Sequence, residues 1–270
     1  MGAPDTGARR PRKASSHNVI FVPPPHCGKM VACKVTGKRM RVWGFLLLGL
    51  WAAVARAGMP DYQAFPAAGE RLLLWMASER GRTAPELDAA ERLAAQGVEV
   101  WSLDSVSAYF LPQLPSSMDA VPVPDLADWL RAAHASGKRV AVVAVARAAV
   151  PLLRAAATLD AAGRQRLCVM LLYPNLYTVA EPLAEPAYLD LGDLGGLQVR
   201  VLQPRRSAAT PWLAGLLDHL TQQGATASGT ILENLREGWW ARETPTDFEL
   251  AESRRMEGLL LRELDTWGCK

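Results

Sequence analysis

The sequence predicts an α/β domain: a mostly parallel sheet of about six strands, covered by helices on both faces and carrying a short cap segment. Two observations predict it. Apolar runs of strand length alternate with helical patterns along the chain, and those runs are apolar at successive positions rather than at every second one. A strand of that kind is buried on both faces. It needs helices above and below, and parallel neighbours joined by right-handed crossovers.

The first run, residues 71–77, gives way to a polar turn at 78–82. Thr83 can cap and Pro85 can open the next helix, with Leu87, Ala90, Leu93 and Ala94 facing inward and Gly97 closing it. Residues 98–103 form the second strand. A loop rich in Pro and Ser follows, then a helix from Pro124 that ends near Gly137, and a third strand at 139–145. Val150, Leu152, Leu153 and Ala157 mark a helix face that ends by Gly163, and 167–172 is the fourth strand. Residues 173–196 are too long for an ordinary connection and read as a lid or cap. Strands at 199–202 and 228–232, a helix at 211–223 and a closing helix at 247–266 complete the order, with 61–65 supplying at most a vestigial edge strand. A dinucleotide-binding fold is the rival architecture, but G-x-G-x-x-G occurs at none of the strand-to-helix turns.

Residues 1–57 stand outside this pattern. Residues 1–39 are rich in Pro, Lys and Arg without apolar periodicity and read as a disordered basic leader, with Met40 or Met30 as the expected true start. Residues 40–57 combine a basic start, an apolar stretch and the small-x-small site Ala55-Arg56-Ala57, the pattern of a secretory signal. The apolar stretch is shorter than the ~20 residues of a spanning helix. Export to the periplasm or medium is the expectation, leaving one domain at 58–270. Anchoring by an uncleaved signal is the alternative, and membrane contact is expected only then.

Charge divides the same way. Residues 1–57 hold ten of the 30 basic and one of the 27 acidic residues, so 58–270 carries 20 basic and 26 acidic residues, a formal −6. That balance disfavours a nucleic-acid partner for the domain. Cys27 and Cys33 fall in the leader. Cys168 lies in an apolar strand and Cys269 at the frayed end, a pair that geometry disfavours as a disulfide. No metal-ligand spacing, phosphate loop or haem motif follows residue 57, so no cofactor or metal is expected.

The most specific motif lies at the end of the third strand. Residues 139–145 lead into Ala144-Val145-Ala146-Arg147-Ala148, a turn of small residues that runs at once into a helix. This order, over roughly residues 70–267, resembles the α/β-hydrolase superfamily, whose elbow at this place reads G-x-S-x-G. The resemblance puts the nucleophile position on Ala146, which has no oxygen with which to attack. It puts the catalytic acid after residues 199–202, where Gln203-Pro204-Arg205-Arg206-Ser207 offers no carboxylate. It puts the imidazole near Arg236 or Glu237, and arginine cannot act as a general base because its pKa stays above ~12. The two histidines after residue 57, His134 and His219, fall in helical patterns and are expected to face solvent.

The resemblance thus implies a degenerate member without a catalytic triad, binding a small molecule or an envelope protein. The candidate pocket comprises Ser78, Glu79, Arg80, Asp104, Ser105, Arg147, Tyr173, Asn175 and Arg236. Asp104 and Ser105 suit a turn or cap as well as a site, and Arg147 either anchors an anion or reaches out to solvent. The alternative is a working hydrolase with displaced machinery, for instance Ser105 or Ser78 with Asp104, Glu79 or Glu237. Trp239-Trp240 is either a packed lid or a recognition patch for a partner.

Overall fold

The computed structural model describes residues 58–178 and 186–267, which fall in the second of the two units into which the chain divides. Among them seven strands form one sheet, in the order β1-β3-β2-β4-β5-β6-β7. The strands are β1 (Gln63–Phe65), β2 (Arg71–Met76), β3 (Val98–Leu103), β4 (Arg139–Val145), β5 (Leu167–Leu172), β6 (Gln198–Arg206) and β7 (Thr226–Arg236). β1 runs antiparallel to β3, and all other pairs are parallel. Residues 63–65 therefore do form the edge strand, and the sheet has one strand more than the apolar runs suggested.

The helices are α1 (Ala84–Ala95), α2 (Ser105–Ala108), α3 (Val123–Ala135), α4 (Ala149–Ala157), α5 (Ala161–Gln165), α6 (Leu213–Gln222), α7 (Asp247–Ser253) and α8 (Met256–Thr266). Strand alternation sorts the core into two layers. Leu72, Leu74 and Met76 of β2, with Val140 and Val142 of β4, pack on Trp129 and Leu130 of α3, Leu152 and Leu153 of α4 and Leu216 of α6. Leu73, Trp75, Ala141 and Val143 face the other way, onto Leu93 of α1 and Leu260 of α8. Both faces of the central strands are buried, which is why they read as continuous apolar runs.

Several boundaries differ from the sequence reading, each for a physical reason. β6 runs on to Arg206 through buried Gln203 and Pro204, and a bulge between Pro204 and Arg206 accommodates a proline that has no N–H to give. β7 is an edge strand rich in Thr, Ser and Gly, so only its middle carries an apolar signal. The stretch ending near Gly163 is two helices, because the Asp160 carboxylate caps α5 by accepting from the Gly163 amide at 2.7 Å. The closing helix is also two: α7 ends at Ser253 and α8 starts at Met256.

Around the cap, the residues on either side of 179–185 pair through an antiparallel bridge between Tyr177 and Tyr188. Leu176, Leu191 and Leu194 sink into the core, so this part is packed onto the domain rather than standing above it. The remainder of the predicted cap lies outside the described residues, as do the leader and the signal-like segment. Cys168 is disulfide-bonded, and the chain's other cysteines lie outside the described residues.

Neither histidine projects freely into solvent, which corrects that expectation. The His219 ring stacks on Tyr188 with centroids 4.9 Å apart, and its Nε2 lies 2.9 Å from the Leu189 carbonyl oxygen. His134 is half-buried, and burial, with the charge of Arg166, pushes its pKa below the usual value.

Candidate functional site

β4 ends at Val145 and the chain reverses sharply at Ala146, whose φ is +51°. Left-handed backbone in a residue with a Cβ is uncommon and costs about 1–2 kcal/mol. Here the sheet, α4 and the following turn hold it in place. The Asn175 amide donates to the Ala146 carbonyl at 3.1 Å, and Ala144 and Ala148 on either side are fully buried. Small residues are needed because β4, the turn and α4 crowd together there.

The next residue ties the turn to its surroundings. The Arg147 amide donates to Oε2 of Glu79, 3.2 Å away on the β2–α1 connection. In the fold's enzymes the corresponding amide, with one from that connection, stabilises a developing oxyanion. Here a carboxylate of the same chain takes it. The Arg147 guanidinium donates to the carbonyls of Asn175 (3.3 Å) and Tyr177 (2.7 Å) and stands 3.6 Å from Asp119. It is a strap joining the elbow to the segment after β5. The outward-reaching alternative for Arg147 is corrected, and the carboxylate it meets is Asp119 of the same chain.

Aromatic rings pack in the same core layer as Ala146. Ala146, Leu202, Leu235, Trp239 and Trp240 share one core cluster, with Tyr173 packed against it. The two tryptophan rings meet edge to face at 4.5 Å, and Tyr173 lies 5.7 Å from Trp240. Trp239 and Trp240 are 1% and 6% exposed. The pair is a packed cover, and the reading of an exposed recognition patch is corrected. Tyr173, itself at φ +38°, has its pKa pushed up by burial and then by the charges of Glu86, Glu79 and Glu237.

At the positions where the resemblance places acid and imidazole, the chain sets a different pair. The Ser207 hydroxyl, just past β6, donates to the carboxylate of Glu237, just past β7. Residue types alone did not single out Ser207. The signal lay in two strand ends that β6–β7 pairing makes neighbours.

Other predicted residues disperse into structural roles. The Asp104 carboxylate accepts from the amide and hydroxyl of Ser107 and the amide of Arg82, so it caps α2 and pins the β2–α1 turn. Ser105 is fully buried with its hydroxyl 3.8 Å from the sulfur of Met118, turned away from any shared site with Asp104. The Ser78 hydroxyl accepts from the Arg80 amide at 3.2 Å, and Arg80 is exposed nearby. Arg236 belongs with α7: its guanidinium and amide donate to Glu249, which is fully buried, and it also donates to the Thr244 carbonyl. Ser105 and Arg236 are thus removed from the pocket. Glu79, Arg147, Tyr173 and the backbone of Asn175 remain gathered at the elbow.

No protein-family profile matches this sequence, and no curated protein matches it by sequence. Solved structures do match in three dimensions. An esterase from the archaeon Pyrobaculum calidifontis is 12% identical with a TM-score of 0.56, covering 77% of this chain and 80% of that one. A dienelactone hydrolase-like protein from Klebsiella pneumoniae is 16% identical with a TM-score of 0.52, covering 72% and 88%. EstE1, a thermostable carboxylesterase cloned from a metagenomic library, is 15% identical with a TM-score of 0.51, covering 73% and 83%. The fold is that of the α/β hydrolases.

Proposed function

We propose that this chain is an exported, non-catalytic α/β-hydrolase-like protein that works by binding a small molecule or a protein partner. The observation that carries the reading is Ala146: the backbone makes the turn that would present an attacking atom, and a methyl group occupies its tip. Glu79 on the Arg147 amide supports the same reading, since a bound carboxylate would repel a developing oxyanion. Support for export comes from the signal-like sequence at 40–57.

The test is hydrolysis of p-nitrophenyl acetate and butyrate by the purified protein, together with labelling by a fluorophosphonate. No turnover above buffer and no label are expected. A second reading, an esterase with displaced machinery, is favoured by the hydrogen bond from Ser207 to Glu237, a hydroxyl beside a carboxylate able to take its proton. Turnover that follows the protein through purification and disappears in Ser207→Ala would replace the first reading with the second.

A further inference from the structure

The amino end of β4 lies about 20 Å along the strand from the elbow. A cavity of about 200 Å³ opens there, lined by His134, Gly137, Lys138, Arg139, Val140 and Arg166. At about 30 Å³ per water it has room for six or seven waters, more than a tetrahedral oxyanion of five heavy atoms requires. None of its lining residues is acidic. In a domain of formal charge −6, this concentration of positive charge needs an explanation.

Only part of that charge is neutralised by the protein. The Lys138 ammonium is held by the Glu99 carboxylate and the Ala67 carbonyl, each at 2.7 Å. Arg139 has Glu70 at 3.6 Å, a carboxylate whose own side chain is 87% exposed. Arg166 donates to the Ala162 carbonyl at 3.3 Å, and no ion pair involves it among the described residues. The carboxyl ends of α3 and α5 both lie at the cleft and favour cations. The α3 terminus is nevertheless capped locally: Ala133 O accepts from the amide and hydroxyl of Ser136, and His134 O from the Gly137 amide. The last carbonyls of α3 therefore take no hydrogen bond from Arg139 or Arg166, whose protein partners are the exposed Glu70 carboxylate and the Ala162 carbonyl. The half-buried His134 ring feels the charge of Arg166 and, in the opposite sense, that of Asp160 and the backbone of Gly163.

We infer that this cleft binds a small tetrahedral oxyanion, inorganic phosphate or the phosphate end of a larger molecule, with Arg139 and Arg166 as its principal ligands. Guanidinium forks match such an anion in geometry, and a dianion relieves the mutual repulsion of the cations around the hollow. The site is separate from the elbow and stands whether or not the elbow is catalytic.

The test titrates the purified protein with inorganic phosphate, glycerol phosphate, or vesicles of phosphatidylglycerol against phosphatidylcholine, each balanced by chloride at equal ionic strength. The readouts are the ring resonances of His134 and the thermal midpoint. Saturable shifts and a raised midpoint are expected in at least one phosphate arm, and the responding arm distinguishes a free phosphate from a lipid headgroup. Arg139→Gln with Arg166→Gln, both on exposed side chains, is expected to weaken binding about tenfold or more while leaving the midpoint in chloride unchanged. If the double variant does not fold, the single Arg139→Gln variant replaces it. No saturable shift in any arm, or binding that survives undiminished in the variants, overturns the inference.

Discussion

Glu86 offers the sharpest test of how charge is held near the elbow. It lies in the first turn of α1, 3% exposed, and Oε2 accepts from the Thr83 amide at 2.7 Å and the Thr83 hydroxyl at 2.9 Å. Those bonds favour the ionised carboxylate, but burial outweighs them and Asp104 adds to it, raising the pKa from 4.5 to about 7. The folded state therefore holds this proton more tightly than the unfolded chain. The resulting stability is complete below pH 4.5 and is lost as pH rises through about 7. A shift of that size is worth about 3 kcal/mol between the two limits.

Two other groups must be separated from it. Glu249, pulled down to about 2 chiefly by its hydrogen bond from Arg236, contributes stability that is present above 4.5 and lost as pH falls toward 2, outside the Glu86 window. His134, held below its usual 6.5, loses stability as pH falls through that range, opposite in sense to Glu86. The difference between the wild type and Glu86→Gln therefore isolates Glu86, because the amide stays neutral throughout. Urea unfolding followed by tryptophan fluorescence from pH 4.5 to 8.5 is the assay. The variant is expected to gain on the wild type by about 3 kcal/mol over that span. Parallel curves, or a gap opening the other way, would refute the argument that burial dominates the hydrogen bonds.

The remaining predictions follow from the packing of the elbow. Trp239→Ala should lower stability by about 3–5 kcal/mol, whereas Phe110→Ala, at a side chain 96% exposed, should change it by less than about 0.5 kcal/mol; comparable costs in denaturant unfolding would contradict the assigned burial. Arg147→Lys keeps the charge but ends one bond short of the Nη1 that donates to both carbonyls, so a loss of about 1–2 kcal/mol is expected, with faster amide exchange at Asn175 and Thr178, and unchanged exchange there would remove the strap. Ala146→Ser restores a hydroxyl without a base, and ester hydrolysis should stay within about tenfold of the wild type, since general base assistance alone contributes about 10²–10⁴. A thousandfold rise would mean that an unrecognised base faces the elbow.

The fold was readable wherever burial was symmetric. Residues 139–145 and 167–172 were placed correctly to the residue because both faces of those strands meet helices, so their apolar runs are unbroken from Val140 to Val145 and from Leu167 to Leu172. The edges were less legible. β7 alternates between partial burial and solvent, so its Thr and Ser positions look like loop, and β1 is three residues long. Residues 247–266 carry helical periodicity throughout, and the break before Met256 shows only in the backbone.

At the site, the sequence located the turn but not what holds it. Ala146 was legible because small residues sit between an apolar strand and an apolar helix. The Glu79 contact was not, because a bond from an amide to a side chain 68 positions away leaves no periodic trace. The same applies to Arg147, whose partners Asn175, Tyr177 and Asp119 lie on two separate connections.

The left-handed backbone at this end of the molecule is not confined to Ala146. Tyr173 follows β5 at φ +38° and Asn234, near the end of β7, stands at +62°. None of the three is glycine, so each carries a local conformational cost that its surroundings must offset. The offsets at Ala146 and Tyr173 are visible: a hydrogen bond from the Asn175 amide onto the Ala146 carbonyl, one from the Tyr173 amide to Leu202 O, and the close packing of Tyr173, Trp239 and Trp240. Each is a contact of the fold, and none requires a substrate. Strain at this turn therefore follows from joining a buried parallel strand directly to a helix, and it persists when no reactive atom stands at the tip. Backbone geometry alone does not distinguish an enzyme of this fold from a binding protein built on it. What this chain sets there is a methyl group at the tip and the carboxylate of Glu79 on the neighbouring amide.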